Sequence, residues 1–135
     1  MVKLEWLDRY SIGIEEIDDD HKNILQIMRN VKKAIKSKDF EHCTSLLDDL
    51  VSLATTHFQN EEQYLAESSY PYIEEHIRYH QELLLKISEA KKTCDKVNEP
   101  VETEHSFNRM AEFLIEDIIA GDLHFKSYFD SRSVE

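Results

Sequence analysis

The chain has 135 residues, one average domain in length, with 28 acidic and 16 basic residues and a formal net charge of −12. That charge argues against DNA or RNA as a partner, because affinity there comes from Lys and Arg neutralising phosphates. No apolar run approaches the ~20 residues of a membrane span, the opening has no apolar core of secretory-signal length, and two cysteines are too few for a disulfide scaffold or a Cys-rich zinc site. The expected location is therefore the cytoplasm.

Two Gly and two Pro leave few turns, which points to a small number of long elements. Residues 1–18 carry Trp6, Tyr10, Ile12, Ile14 and Ile17 around Gly13 and predict an ordered arm lying on the domain. Asp18-Asp19-Asp20 supplies an N-cap and first-turn negative charge, so a first helix is expected over about 19–37, with Ile24, Leu25, Met28, Val31 and Ile35 on its apolar face. Asp39 can cap a second helix, about 40–66. Pro71 suits the start of a third, about 71–95. Asn98-Glu99-Pro100 precedes a fourth, about 102–120, with Gly121 as a stop, and a short tail helix follows within 122–135. Four amphipathic helices with short connections describe one all-α domain over 1–135, an up-down-up-down four-helix bundle.

The chemistry lies in polar residues on apolar faces. His57 and Glu61 are four apart on the stripe of Leu50 and Ala54. His76 and His80 are four apart on the stripe of Ile73, Ile77, Leu83 and Leu84. An i,i+4 pair shares one helical face, so both pairs point inward. His21 opens the face of Ile24, Leu25 and Met28, while Asp117 and Asp122 lie near the end of the fourth helix. Alternating helix directions bring these seven residues to one end of the bundle. Buried and unpaired they would cost several kcal/mol. Together they form the kind of cluster with which a bundle core holds two metal ions. Glu61 and Asp122 each have two oxygens with which to bridge. The mixed imidazole and carboxylate set suits iron, and zinc or manganese fits the same donors.

Other readings are weaker. His21 alone would be an ordinary core residue. His57, Glu61, His76 and His80 together are hard to satisfy without a metal. Asp122 beside Gly121 also fits a plain helix end, and Asp117 fits a ligand, a carboxylate partner of a ligating histidine, or a solvent-facing group. His76 and His80 have zinc-protease spacing but lack the Glu that follows the first His. Glu102 and His105 make one Glu-x-x-His pair where a ferritin-like site needs two. His42 and His105 are expected exposed, Cys43 packed, and Cys94, near a helix end, exposed.

At these residues a resemblance becomes specific. Trp6, Tyr10-Ser11-Ile12-Gly13-Ile14, Ile17-Asp18 and His21-Lys22 are similar to the opening of the bacterial hemerythrins. His57-Phe58-Gln59-Asn60-Glu61-Glu62 resembles their central motif, Tyr70-Pro71, His76 and His80 the third, and Phe113-Leu114, Asp122 and Tyr128-Phe129 the closing segment. The resemblance covers residues 6 to 129. It implies a four-helix bundle with a non-haem di-iron centre that binds O2 reversibly. By position, His21 and His57 would ligate one iron, which keeps an open place for O2. His76 and His80 would ligate the second. Glu61, Asp122 and a solvent-derived oxo or hydroxo group would bridge the two. Ile24, Phe58 and Leu114 would exclude water from the pocket.

The family pattern implies a third histidine on the second iron, five residues before the bridging Asp. Asp117 stands there. An anionic ligand favours ferric over ferrous iron. The departure therefore opens redox chemistry on O2, peroxide or nitric oxide beside O2 storage, delivery or sensing.

Overall fold

The computed structural model describes residues 4–95, 100–116 and 126–128. Four long helices dominate: α1 (Glu15–Lys36), α2 (Phe40–Glu67), α3 (Ile73–Asp95) and α4 (Pro100–Glu116). Each packs on the next in the chain, and α1 also meets α4, which closes the four-membered bundle. Connections this short force sequential helices antiparallel. The expected fold class is therefore the observed one. Asp117, Asp122 and the expected end of the fourth helix lie outside the described residues.

The helix ends show how a chain with two glycines turns corners. α1 and α2 both stop in Schellman motifs. After α1, Lys38 N–H donates to Ile35 C=O (3.0 Å) and Asp39 N–H to Ala34 C=O (2.9 Å). After α2, Ser69 N–H donates to Ala66 C=O (3.2 Å) and Tyr70 N–H to Leu65 C=O (3.0 Å). The left-handed residues that close them are not glycines: Lys38 has φ 58° and Ser69 has φ 57°. Asp39 caps α2 as expected, its side chain accepting from His42 N–H (3.2 Å). Pro100 is the first residue of α4, where a missing N–H costs nothing.

The start of α1 corrects the sequence reading. The helix begins four residues earlier than the acidic run implied, with Ile14 at the N-cap and no side-chain cap. Asp18 turns back instead. It accepts from Ser11 Oγ (2.6 Å) and Ile12 N–H (2.9 Å), so it clasps the arm rather than the helix. The arm is ordered as expected, with Leu4, Tyr10 and Ile12 buried. Arg29 of α1 holds it a second time, donating to Leu4 C=O.

Two apolar clusters fill the interior. The large one runs through all four helices and includes Met28, Val31, Leu47, Leu50, Leu83, Ile87, Met110 and Leu114. A small one, Ile12, Ile17, Leu65 and Tyr70, joins the last part of the arm to α1 and the end of α2, with Tyr128 packed against it, while Leu4 and Tyr10 of the arm belong to the large cluster. Burial of each such side chain contributes about 1.5–3 kcal/mol. Cys94 departs from its expected exposure: it is buried and lies in the large cluster with Cys43.

Candidate metal centre

Between the two apolar clusters lies one polar layer. Along α1, His21 sits between Ile17 and Ile24. Along α2, His57 and Glu61 sit between Ala54 and Leu65. On α3, His76 and His80 precede Leu83. The spacing of three or four residues carries each helix's apolar stripe straight through the layer, so the polar groups are buried by the same periodicity that builds the core. His21, His57 and His80 are each 1% exposed and Glu61 is fully buried, a burial that such groups tolerate only when paired.

Glu61 is the centre of the arrangement. Its Oε1 lies 2.5 Å from His76 Nε2 and 3.2 Å from His80 Nε2. Its Oε2 lies 3.2 Å from His57 Nε2 and 4.0 Å from His21 Nε2. One carboxylate thus divides its two oxygens between two histidine pairs. Two groups result, His21-His57-Glu61 and Glu61-His76-His80, each with its donor atoms within 4.8 Å of one another, and each can hold a metal ion.

The histidine rings are oriented from behind. His57 Nδ1 is 2.9 Å from Asp20 Oδ2, and His80 Nδ1 is 2.9 Å from Glu62 Oε2. An ionised carboxylate only accepts, so each Nδ1 carries a proton, and each ring in its neutral form turns a bare Nε2 inward. Phe58 fixes His80 further, stacking on it at 3.9 Å between ring centroids with 8° between the planes.

The donor set fits a cation. The inward Nε2 atoms of His57 and His80 face carboxylate oxygens, and His57 Nε2 lies 3.0 Å from His21 Nε2. Acceptors at such distances repel unless a proton or a metal ion lies among them. With protons on the inward nitrogens, hydrogen bonds from His57, His76 and His80, together with the charge of His57, outweigh the upward push of burial and hold the Glu61 carboxyl well below the usual carboxylate range. An anionic Glu61 is the form a metal needs.

The description of the family that matches residues 12–120 is the hemerythrin HHE cation-binding domain. The chain belongs to that family. Among its hemerythrin relatives, a bacteriohemerythrin of Stenotrophomonas maltophilia is 29% identical over 91 residues, 67% of this chain and 60% of that protein. A bacteriohemerythrin of Pseudomonas aeruginosa is 27% identical over the same shares. A myohemerythrin of Theromyzon tessulatum is 25% identical over 122 residues, 90% of each chain. The chain thus spans 60% of the length of the bacterial relatives it matches.

Five of the seven expected metal-site residues come together as the helical spacing required: His21, His57, Glu61, His76 and His80. Asp117 and Asp122 fall outside the described residues. His42 and His105 are exposed, as expected. The contacts of Asp20 and Glu62 with His57 and His80 were not foreseen from the sequence. Each carboxylate adjoins an expected ligand in sequence, which was the available signal, but their partners are 37 and 18 residues away on other helices. No helix among the described residues is long and apolar enough to cross a membrane.

Proposed function

We propose that the chain is a non-haem di-iron protein that binds O2 in storage, delivery or sensing. The observation that carries this reading is Glu61, whose two oxygens face two separate histidine pairs. In this proposal His21 and His57 would hold one iron, His76 and His80 would hold the other, and Glu61 would serve both. Asp122 would be a second carboxylate serving both irons, and Asp117 would be the remaining protein ligand of the second. Iron held there would supply reversible electron transfer to O2.

The chain's own residues do the rest. Asp20 and Glu62 each hold a proton on the Nδ1 of a ligating histidine, which keeps its Nε2 free for metal. Phe58 locks the His80 ring by stacking. Ile24, Phe58 and Leu114 are buried and keep the large core dry on one side of the polar layer, while Ile17, Leu65 and Tyr70 do so on the other. A dry site limits loss of reactive oxygen species to solvent.

A second reading rests on Asp117. Its charge stabilises the ferric state, which favours turnover of O2, peroxide or nitric oxide over reversible carriage. One experiment separates the two. Iron is loaded without oxygen, metal is counted per chain, and O2 is then admitted and withdrawn while the visible spectrum is followed. Two irons and an O2-dependent band that disappears on removing O2 support reversible binding. Two irons with irreversible oxidation support the redox reading, and Asp117→His should then slow that oxidation. One iron or none rejects a di-iron centre.

A further inference from the structure

The far end of the α2–α3 seam carries a pair of thiols that the metal reading leaves unused. Cys43 precedes Glu61 by 18 residues on α2, and Cys94 follows His76 by 18 on α3. Eighteen residues are five helical turns, so each cysteine lies on the same face as its metal-site residue, about 27 Å along the axis. The helices are antiparallel. The register that sets Glu61 against His76 therefore sets Cys43 against Cys94. An ion pair between Asp48 and Lys91 (2.7 Å) holds that register one turn away. Neither cysteine is in a disulfide, both are buried, and Cys94 hydrogen-bonds the Cys43 thiol.

We propose that Cys43 and Cys94 are a redox-active dithiol that a hydroperoxide closes to a disulfide, tying the first turn of α2 to the last turn of α3. One sulfur, as thiolate, attacks the O–O bond. An S–O bond forms, and the departing oxygen takes up the thiol proton and leaves as an alcohol, or as water from hydrogen peroxide. The second sulfur then attacks the sulfenic sulfur. The S–S bond forms as the S–O bond breaks, and hydroxide leaves with the second thiol's proton as water. Two electrons pass from the two sulfurs to the peroxide.

The surroundings set the rate. The hydrogen bond with Cys94, then burial, then the charges of Cys94 and Asp39 push the Cys43 thiol above its ordinary range, which holds the closed pair in the protonated form. Cys43 is the fourth residue of α2 and Cys94 the last but one of α3. Terminal turns open far more readily than whole helices. The dithiol therefore reacts through local opening, and its partner sulfur is already beside it when the first is oxidised.

The test uses the full, metal-free chain, so that iron chemistry contributes no oxidant and the result is independent of the O2 reading. The chain is treated with hydrogen peroxide under native conditions, then unfolded and alkylated. The expected result is joint loss of both thiols, a mass loss of two hydrogens, a proteolytic peptide pair linked through Cys43 and Cys94, and a chain still monomeric on a non-reducing gel. Tm rises by about 5–10 °C, and dithiothreitol reverses every change. In Cys94→Ala, with circular dichroism confirming the fold, Cys43 gains oxygen and no linked peptide forms. The proposal is overturned if both thiols survive peroxide that fully oxidises a small control thiol. Independent sulfinic acids or disulfides only between chains overturn it equally.

Discussion

Two stretches of one face of α2 differ in what burial does to them. From Cys43 through Leu47, Leu50 and Ala54, every inward residue is apolar and removed from water. One turn further, the same face presents His57 and Glu61, buried as completely. The backbone is one continuous helix, and the periodicity does not change. In the first stretch burial is itself the source of stability. In the second it is a cost, met only by carboxylates behind the rings and by a proton or cation in front. The first stretch therefore holds the bundle together, and the second holds donor groups that a cation can pair.

The sharpest way to break this contrast is at Glu61. Glu61→Gln keeps the shape and removes the charge that both histidine pairs face, so iron content measured after anaerobic loading should fall from two ions per chain to one or none. Retention of two ions would sink the bridging assignment. Leu50→Ala attacks the apolar stretch alone. It should cost about 2–5 kcal/mol in urea unfolding while leaving metal stoichiometry unchanged; a matching loss of metal would mean that the two stretches are not separable.

Smaller changes sharpen the comparison. Asp20→Asn or Glu62→Gln should weaken iron binding about 10–100-fold in a competition assay with a chelator, with little change in the unfolding of the metal-free chain. An unchanged affinity would mean that ring orientation comes from packing alone. Acid gives a related test. Glu61 has its carboxyl held below its unfolded value of 4.5, so its contribution to the metal-free fold is complete above that pH and is lost as pH falls toward the lowered value. Thermal unfolding below about pH 4.5 should show this dependence, and Glu61→Gln should flatten it. The smallest expected effect is at the helix ends. Ser69→Gly and Lys38→Gly each remove a side chain from a left-handed position and should add about 0.5–1 kcal/mol to stability in chemical denaturation.

The sequence made the bundle legible because the apolar spacing of α1 to α4 is regular and the breaks at Ser37–Asp39 and Ser68–Pro71 fall between helices. The clustering of the five central candidate ligands was legible for the same reason: His57 with Glu61, and His76 with His80, keep the core spacing. The acidic run at 18–20 was misread because charge alone does not say where a carboxylate turns. Asp18 goes to the arm, Asp20 goes to His57, and only Asp19 is left exposed. Asp20 and Glu62 make contacts between helices, which spacing along one helix does not encode. Cys94 lies near a helix end, where exposure is the ordinary expectation. Its distance of five turns from His76 was the signal that it faces the core.

Glu61 belongs to both triads, and the triads draw on α1, α2 and α3. On the proposed reading, an ion held there recognises the folded chain and not the unfolded one. At free metal one hundred times the dissociation constant, such binding adds about 2.7 kcal/mol, which lowers the unfolded population roughly 100-fold. The lifetime of the polypeptide then tracks the supply of metal. A chain made during scarcity would be the first to be degraded, and its abundance would report how much metal was at hand when it folded.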